Sequence, residues 1–77
     1  MSPTAARSYQ IRLERHLGPA TAALFPEFDV HHEHDGTTVL TATLPDQAAL
    51  HGALARVRDL GLVLREVRPI ETSDPLP

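Results

Sequence analysis

The stretch Pro45–Val67, P-D-Q-A-A-L-H-G-A-L-A-R-V-R-D-L-G-L-V-L-R-E-V, decides the fold. It reads as one capped amphipathic helix running into a strand. Asp46 suits the N-cap, because its carboxylate can accept from the free backbone N–H groups of the first turn. Pro45 pushes Leu44 towards an extended backbone. Ala48, Ala49, Leu50, Ala53, Leu54 and Ala55 are strong helix formers. Leu50, Ala53, Leu54, Val57 and Leu60 recur at three- and four-residue steps and so share one face. Gln47, His51, Arg56 and Asp59 fall mostly opposite. Gly61 stands where a left-handed C-terminal cap belongs. Arg56 and Arg58 lie at the carbonyl end, where positive charge is favourable. Gly52 is the discord, since glycine costs about 1 kcal/mol against alanine inside a helix. A close approach of a neighbouring backbone is the preferred explanation.

Upstream, Ser8 to Leu17 opens with Tyr9, Ile11 and Leu13 alternating against Gln10, Arg12 and Glu14, the pattern of a half-buried strand. Gly18-Pro19 ends it, and Pro19 suits the first turn of a helix. Ala20 to Phe25 supplies barely two turns, with Leu24 and Phe25 as anchors, before Pro26 stops it. Phe28 to His34 and Thr37 to Leu44 read as two strands joined at Asp35-Gly36.

Parity decides the turn between them. A two-residue Asp35-Gly36 loop would set Val30 against Thr41, and the apolar faces would disagree. A three-residue loop, His34-Asp35-Gly36, pairs Glu33 with Thr37, Val30 with Leu40 and Phe28 with Ala42. Faces must match in register, so the three-residue loop is predicted, with Gly36 in the left-handed position of a bulge turn. Leu62 to Val67 forms the last strand, and Pro69 limits further pairing on its N–H side.

The order strand, helix, strand, strand, helix, strand is that of the ferredoxin-like split βαβ motif, an α+β fold. Right-handed crossovers place both helices on one face of a four-stranded antiparallel sheet with the first strand central. One domain is expected over residues 8–70, with loose tails over 1–7 and 71–77. The open sheet face then carries Gln10, Arg12, Glu14 and His16, with Asp29, His31 and Glu33, and with Val39, Thr41 and Thr43. It is semi-polar and suited to water or to a second copy.

At 77 residues the chain buries a limited fraction of its surface, and it has no cysteine for a disulfide or thiolate zinc site. Oligomerisation is the remaining common support, and a homodimer is favoured, with docking on another protein as a further role. The net charge of −3 argues against nucleic-acid binding. No apolar run reaches the length of a membrane span, and the first residues lack the apolar core of a secretion signal; a cytoplasmic location is expected. All seven basic residues are arginine, a bias of GC-rich bacterial genomes. Lysine and cysteine nucleophiles are absent, and serine occurs only at Ser2, Ser8 and Ser73. No catalytic residue and no cofactor are assigned.

The chain resembles a group of short, uncharacterised bacterial proteins of GC-rich lineages. They share a first strand of the Y-x-I-R type, here Tyr9-Gln10-Ile11-Arg12. They also share a D-G-T-T hairpin, here Asp35-Gly36-Thr37-Thr38, and a D-Q-A-A-L-H-G-x-L-x-x-[IV]-R-D-L-G-L helix, here Asp46 to Leu62. The likeness covers Tyr9 to Val67. The first helix of that group often carries tryptophan, which this chain lacks. The group has no established activity, so the resemblance implies a compact domain and adds no catalytic residue.

The run His31-His32-Glu33-His34-Asp35 holds ordinary zinc-ligand types. Its residues alternate across a strand, however. His31 and Glu33 face the open side, His32 sits at the core edge opposite Thr38, and His34 lies in the turn. His31 and His34 are the nearest to a metal pair, and His31 could join His16, yet a solvated surface is the preferred reading. His51 is read as a surface histidine, with no partner to orient it as a base. Arg12 could hold an anion bidentately, but pairing with Glu14, Asp29 or Glu33, or service at an interface, is preferred. Arg56, Arg58, Arg65 and Arg68 read as a charge-balanced solvated surface.

Three functions stay open: a self-associating, non-enzymatic interaction module, which leads; a regulatory domain binding a small ligand or divalent metal on the open face or at a dimer interface; and a small dimeric α+β enzyme. The interface or ligand candidates are Arg12, Glu14, His16, His31, Glu33, Val39 and Thr41.

Overall fold

The computed structural model describes residues 6–70. Their order is β1 (Arg7–Leu13), α1 (Pro19–Ala22), β2 (Asp29–His32), β3 (Thr38–Leu44), α2 (Gln47–Asp59) and β4 (Leu64–Ile70). The four strands form one antiparallel sheet in the order β2-β3-β1-β4, so β1 is central. The class is α+β. Arg7, expected in the first tail, opens β1; the rest of that tail up to residue 5, and the expected tail over 71–77, lie outside the described residues. Among the described residues no helix is long and apolar enough to cross a membrane.

Helix α2 forms as its sequence dictates. Asp46 has extended backbone and its carboxylate accepts from the Ala49 N–H at 2.9 Å. The helix ends at Leu60, and Gly61 follows at φ +72°. Gly61 N–H donates to the Arg58 carbonyl and Leu62 N–H to the Val57 carbonyl, both at 3.0 Å. This double bond pattern is the Schellman cap, and its left-handed residue is glycine because a Cβ there would crowd the backbone. Leu50, Ala53 and Val57 are buried, and Leu54 packs beside them. Leu60, expected on the same face, is 41 % exposed. It is the C-cap, beyond the last regular turn of the helix, where the chain turns towards β4. Gly52 is also a correction: a Cβ built there meets nothing within 4 Å, so no neighbour requires glycine.

The hairpin has the three-residue loop. Val30 pairs with Leu40, His31 with Val39 and His32 with Thr38. The Glu33 N–H then donates to the Thr37 carbonyl at 2.9 Å, and Gly36 turns the chain at φ +93°. The Asp35 carboxylate accepts from both the N–H and the hydroxyl of Thr37, at 3.0 and 2.6 Å, and holds the turn closed.

The core lies between sheet and helices. Tyr9, Ile11 and Leu13 of β1 join Leu40 and Leu44 of β3, Leu50, Ala53 and Val57 of α2, and Leu17, Phe25 and Phe28 from the β1–β2 connection. Phe25 and Phe28 meet edge to face with centroids 6.1 Å apart. Each such large side chain contributes about 1.5–3 kcal/mol when taken out of water. The first helix is shorter than expected, and of its two expected anchors Phe25 is buried while Leu24 is 47 % exposed. The chain leaves α1 at Ala23, so Phe25 turns inward and Leu24 outward.

Strand bounds differ as well: β2 covers Asp29–His32 rather than Phe28 to His34, β3 begins at Thr38 rather than Thr37, and β4 begins at Leu64 rather than Leu62. Strand β1 stops at Leu13 rather than continuing to Leu17, because the chain bends at Glu14 and Arg15. Strand β4 continues past Val67 to Ile70 and pairs Pro69 with Tyr9. It is an edge strand, so the position without an N–H can face outward.

Candidate functional site

The open face of the sheet is built by the outward positions of all four strands. Because register is shared, these residues stand in rows across the sheet. One row runs Asp29, Thr41, Gln10, Arg68; the next runs His31, Val39, Arg12, Glu66. Val39 is 7 % exposed although no helix covers this face. It stands between His31 and Arg12, whose longer side chains flank it.

Arg12 organises the centre. Its guanidinium donates to the Thr37 hydroxyl at 2.9 Å and lies 4.0 Å from the Glu66 carboxylate. The same hydroxyl donates onward to Asp35, so a chain of polar contacts runs from β4 across β1 to the hairpin turn. The two bonds from Thr37, the hydroxyl first, hold the Asp35 carboxyl below the usual carboxylate range. Arg12 is thus paired, as preferred, but with Glu66, a partner not named among Glu14, Asp29 and Glu33. Strand β4 brings Glu66 opposite it, and the sequence alone does not fix that register.

Glu14 and His16 leave the open-face row. A register shift in the β1–β4 ladder leaves Arg65 without a partner strand residue, and Glu14 lies 3.6 Å from the Arg65 guanidinium. His16 comes round to the far end of the sheet, where its ring stacks on His32 with centroids 4.5 Å apart and planes 13° from parallel. Its Nε2 is 3.0 Å from the Glu33 carbonyl oxygen. His16 therefore meets His32 and not His31. His32 pairs with Thr38 as expected but is exposed, because β2 is an edge strand with nothing beyond it. His31 and His34 stay exposed and do not come together into a ligand set; among the described residues no group of three or more His, Asp or Glu side chains converges as a metal site. Glu33 is half-buried and Thr41 stands on the open face beside Gln10. His51 is exposed on α2.

The four arginines of the second half each meet an acid: Arg56 with Glu27, Arg58 with Asp59, Arg65 with Glu14 and Arg68 with Glu66. That is the charge-balanced surface expected. Arg56 does more. It also donates to the Leu24 carbonyl at 2.6 Å and lies 5.1 Å above the Phe25 ring, which ties α2 to the chain after α1. The Glu27 carboxyl is held below its usual range chiefly by the hydrogen bonds it accepts from the Arg56 guanidinium.

Residues 8–68 match the sequence profile of a family described as a domain of unknown function (DUF8691), and the chain belongs to that family. No curated protein and no solved structure matches the chain.

Proposed function

We propose that this chain is a small, non-enzymatic interaction module of the ferredoxin-like type that self-associates as a dimer through the open face of its sheet. The strand order supports the ferredoxin-like reading. Taken from the other edge it is β4-β1-β3-β2, all antiparallel, with each helix joining two strands that are separated by one other. The motifs in β1, the hairpin and α2 support a place among the short bacterial proteins of GC-rich lineages, and the dimer is expected in the cytoplasm.

One observation carries the dimer. Rotating a second copy by half a turn about an axis parallel to the strands lays each row over itself reversed. Asp29 then meets Arg68, His31 meets Glu66, and Thr41 meets Gln10. The ends of both rows are complementary, as an isologous two-fold interface favours, while in the second row Arg12 meets Val39 and keeps Glu66 of its own chain as its ion-pair partner. Edge pairing is the weaker route. Strand β2 has four residues, while β4 carries Pro69 and the bulged Arg65, which are devices that discourage strand addition. Three strands of seven residues and one of four give a flat footprint of roughly 400 Å² from standard spacings. That is small against the roughly 800 Å² per partner of a stable interface, so micromolar association is expected. A protein partner would dock on the same face in place of the second copy.

The test is charge reversal. Asp29→Arg sets arginine against Arg68 and dissociates the dimer in sedimentation; Asp29→Arg with Arg68→Asp restores it. A double variant no better associated than the single one contradicts the proposed facing of rows.

A further inference from the structure

A cleft of about 320 Å³ opens at the end of the sheet, between the β1–α1 connection and the turn from α2 into β4. Leu13, Leu17 and Leu62 form its apolar wall, and Arg15, His16 and Thr21 bring polar groups to it. That volume is at the lower end for a small-ligand site, and the lining is mixed, an apolar wall beside three polar side chains. The open sheet face is elsewhere, so this site is independent of the proposed dimer.

Charge narrows the ligand. Arg12, Arg56, Arg58, Arg65 and Arg68 each meet a carboxylate. Among the described residues Arg15 forms no ion pair, although it lines the cleft; its backbone carbonyl is held by the Thr38 hydroxyl at 2.7 Å, which fixes the base of the side chain. His16 is likewise held, by the His32 ring and the Glu33 carbonyl. An exposed guanidinium without an ion pair, on a backbone anchored by Thr38 and beside an apolar wall, is complementary to a carboxylate on a compact apolar body. We propose that the cleft binds a small aryl or branched-acyl monocarboxylate, with Arg15 on the carboxylate and Leu13, Leu17 and Leu62 around the apolar body.

The experiment is a nuclear magnetic resonance titration of the full chain with phenylacetate, with phenylacetamide as its neutral counterpart and inorganic phosphate as an anion without an apolar body. Saturable shifts are expected at the amides of Leu17, Gly18, Gly61 and Leu62. Phenylacetamide should bind at least tenfold more weakly, and phosphate should leave these amides unmoved. Arg15→Gln should weaken phenylacetate at least tenfold. Thr21→Phe, which fills the cleft from a partly exposed position, should remove the shifts while the circular dichroism spectrum stays unchanged. No saturation at these amides, equal binding of acid and amide, equal shifts with phosphate, or indifference to Arg15→Gln would each overturn the proposal.

Discussion

Replacing Arg56 with alanine tests how α2 is tied to the segment that follows α1. The side chain makes three kinds of contact. It donates to the Leu24 carbonyl at 2.6 Å, forms a two-point pair with Glu27, and covers the Phe25 ring at 5.1 Å. The ion pair is the least of these, because Arg56 and Glu27 are 36 % and 38 % exposed and water screens them; about 0.5 kcal/mol is reasonable. The charged hydrogen bond to the carbonyl adds roughly 1 kcal/mol at a partly exposed site. The cation over the ring adds about 0.5 kcal/mol. Alanine returns a few tenths through helix propensity. The net loss is about 1.5–2 kcal/mol, which lowers the melting temperature by about 6–15 °C in a domain of this size. Thermal and urea unfolding followed by circular dichroism measure it.

Glu27→Gln should cost only about a quarter to a third as much, since it removes the screened pair and leaves the carbonyl and ring contacts. It should also change the response to acid. The folded-state pKa of Glu27 is depressed by Arg56. Between that value and the unfolded value, the unfolded chain binds more protons, so stability rises with pH there. The contribution is present above the unfolded pKa and is lost as pH falls through the folded one, and Glu27→Gln should abolish that acid-limb component. A loss under 0.5 kcal/mol for Arg56→Ala, or a Glu27→Gln loss equal to it, would refute the ranking of contacts.

Glycine-to-alanine exchange should act with opposite sign at two positions of one helix and its cap. Gly52→Ala enters open space and should stabilise by about 0.5–1 kcal/mol, a gain read as a higher urea midpoint. Gly61→Ala forces φ +72° on a residue with a Cβ and should destabilise by about 1 kcal/mol in the same assay. Asp46→Ala removes the acceptor for the Ala49 N–H and should cost about 1 kcal/mol, while Asp46→Asn should recover most of it.

Local chemistry made most of the fold legible. Asp46, Gly61 and the spacing of Leu50, Ala53 and Val57 delimit α2 almost to the residue, because caps and periodicity act within one turn. The hairpin register was legible because a shift by one residue would have put Val30 and Leu40 on opposite faces. Long-range relations were harder. The partner of Arg12 depends on where β4 docks and on a register shift that no motif marks. His16 looked like the continuation of an alternating strand, yet the bend at Glu14 and Arg15 carries it to His32. Arg56 lay in a mixed-charge run whose composition gave no sign of a contact with a carbonyl and a ring more than two dozen residues upstream. Gly52 invited a packing explanation that the empty space beside it removes.

The central claim is that the open sheet face is a self-complementary interface. Light scattering across a dilution series, with and without zinc and chelator, tests it most directly. The expected result is a dimer that dissociates in the micromolar range and is indifferent to metal. A chain that remains monomeric when concentrated, or that assembles only with zinc, contradicts it.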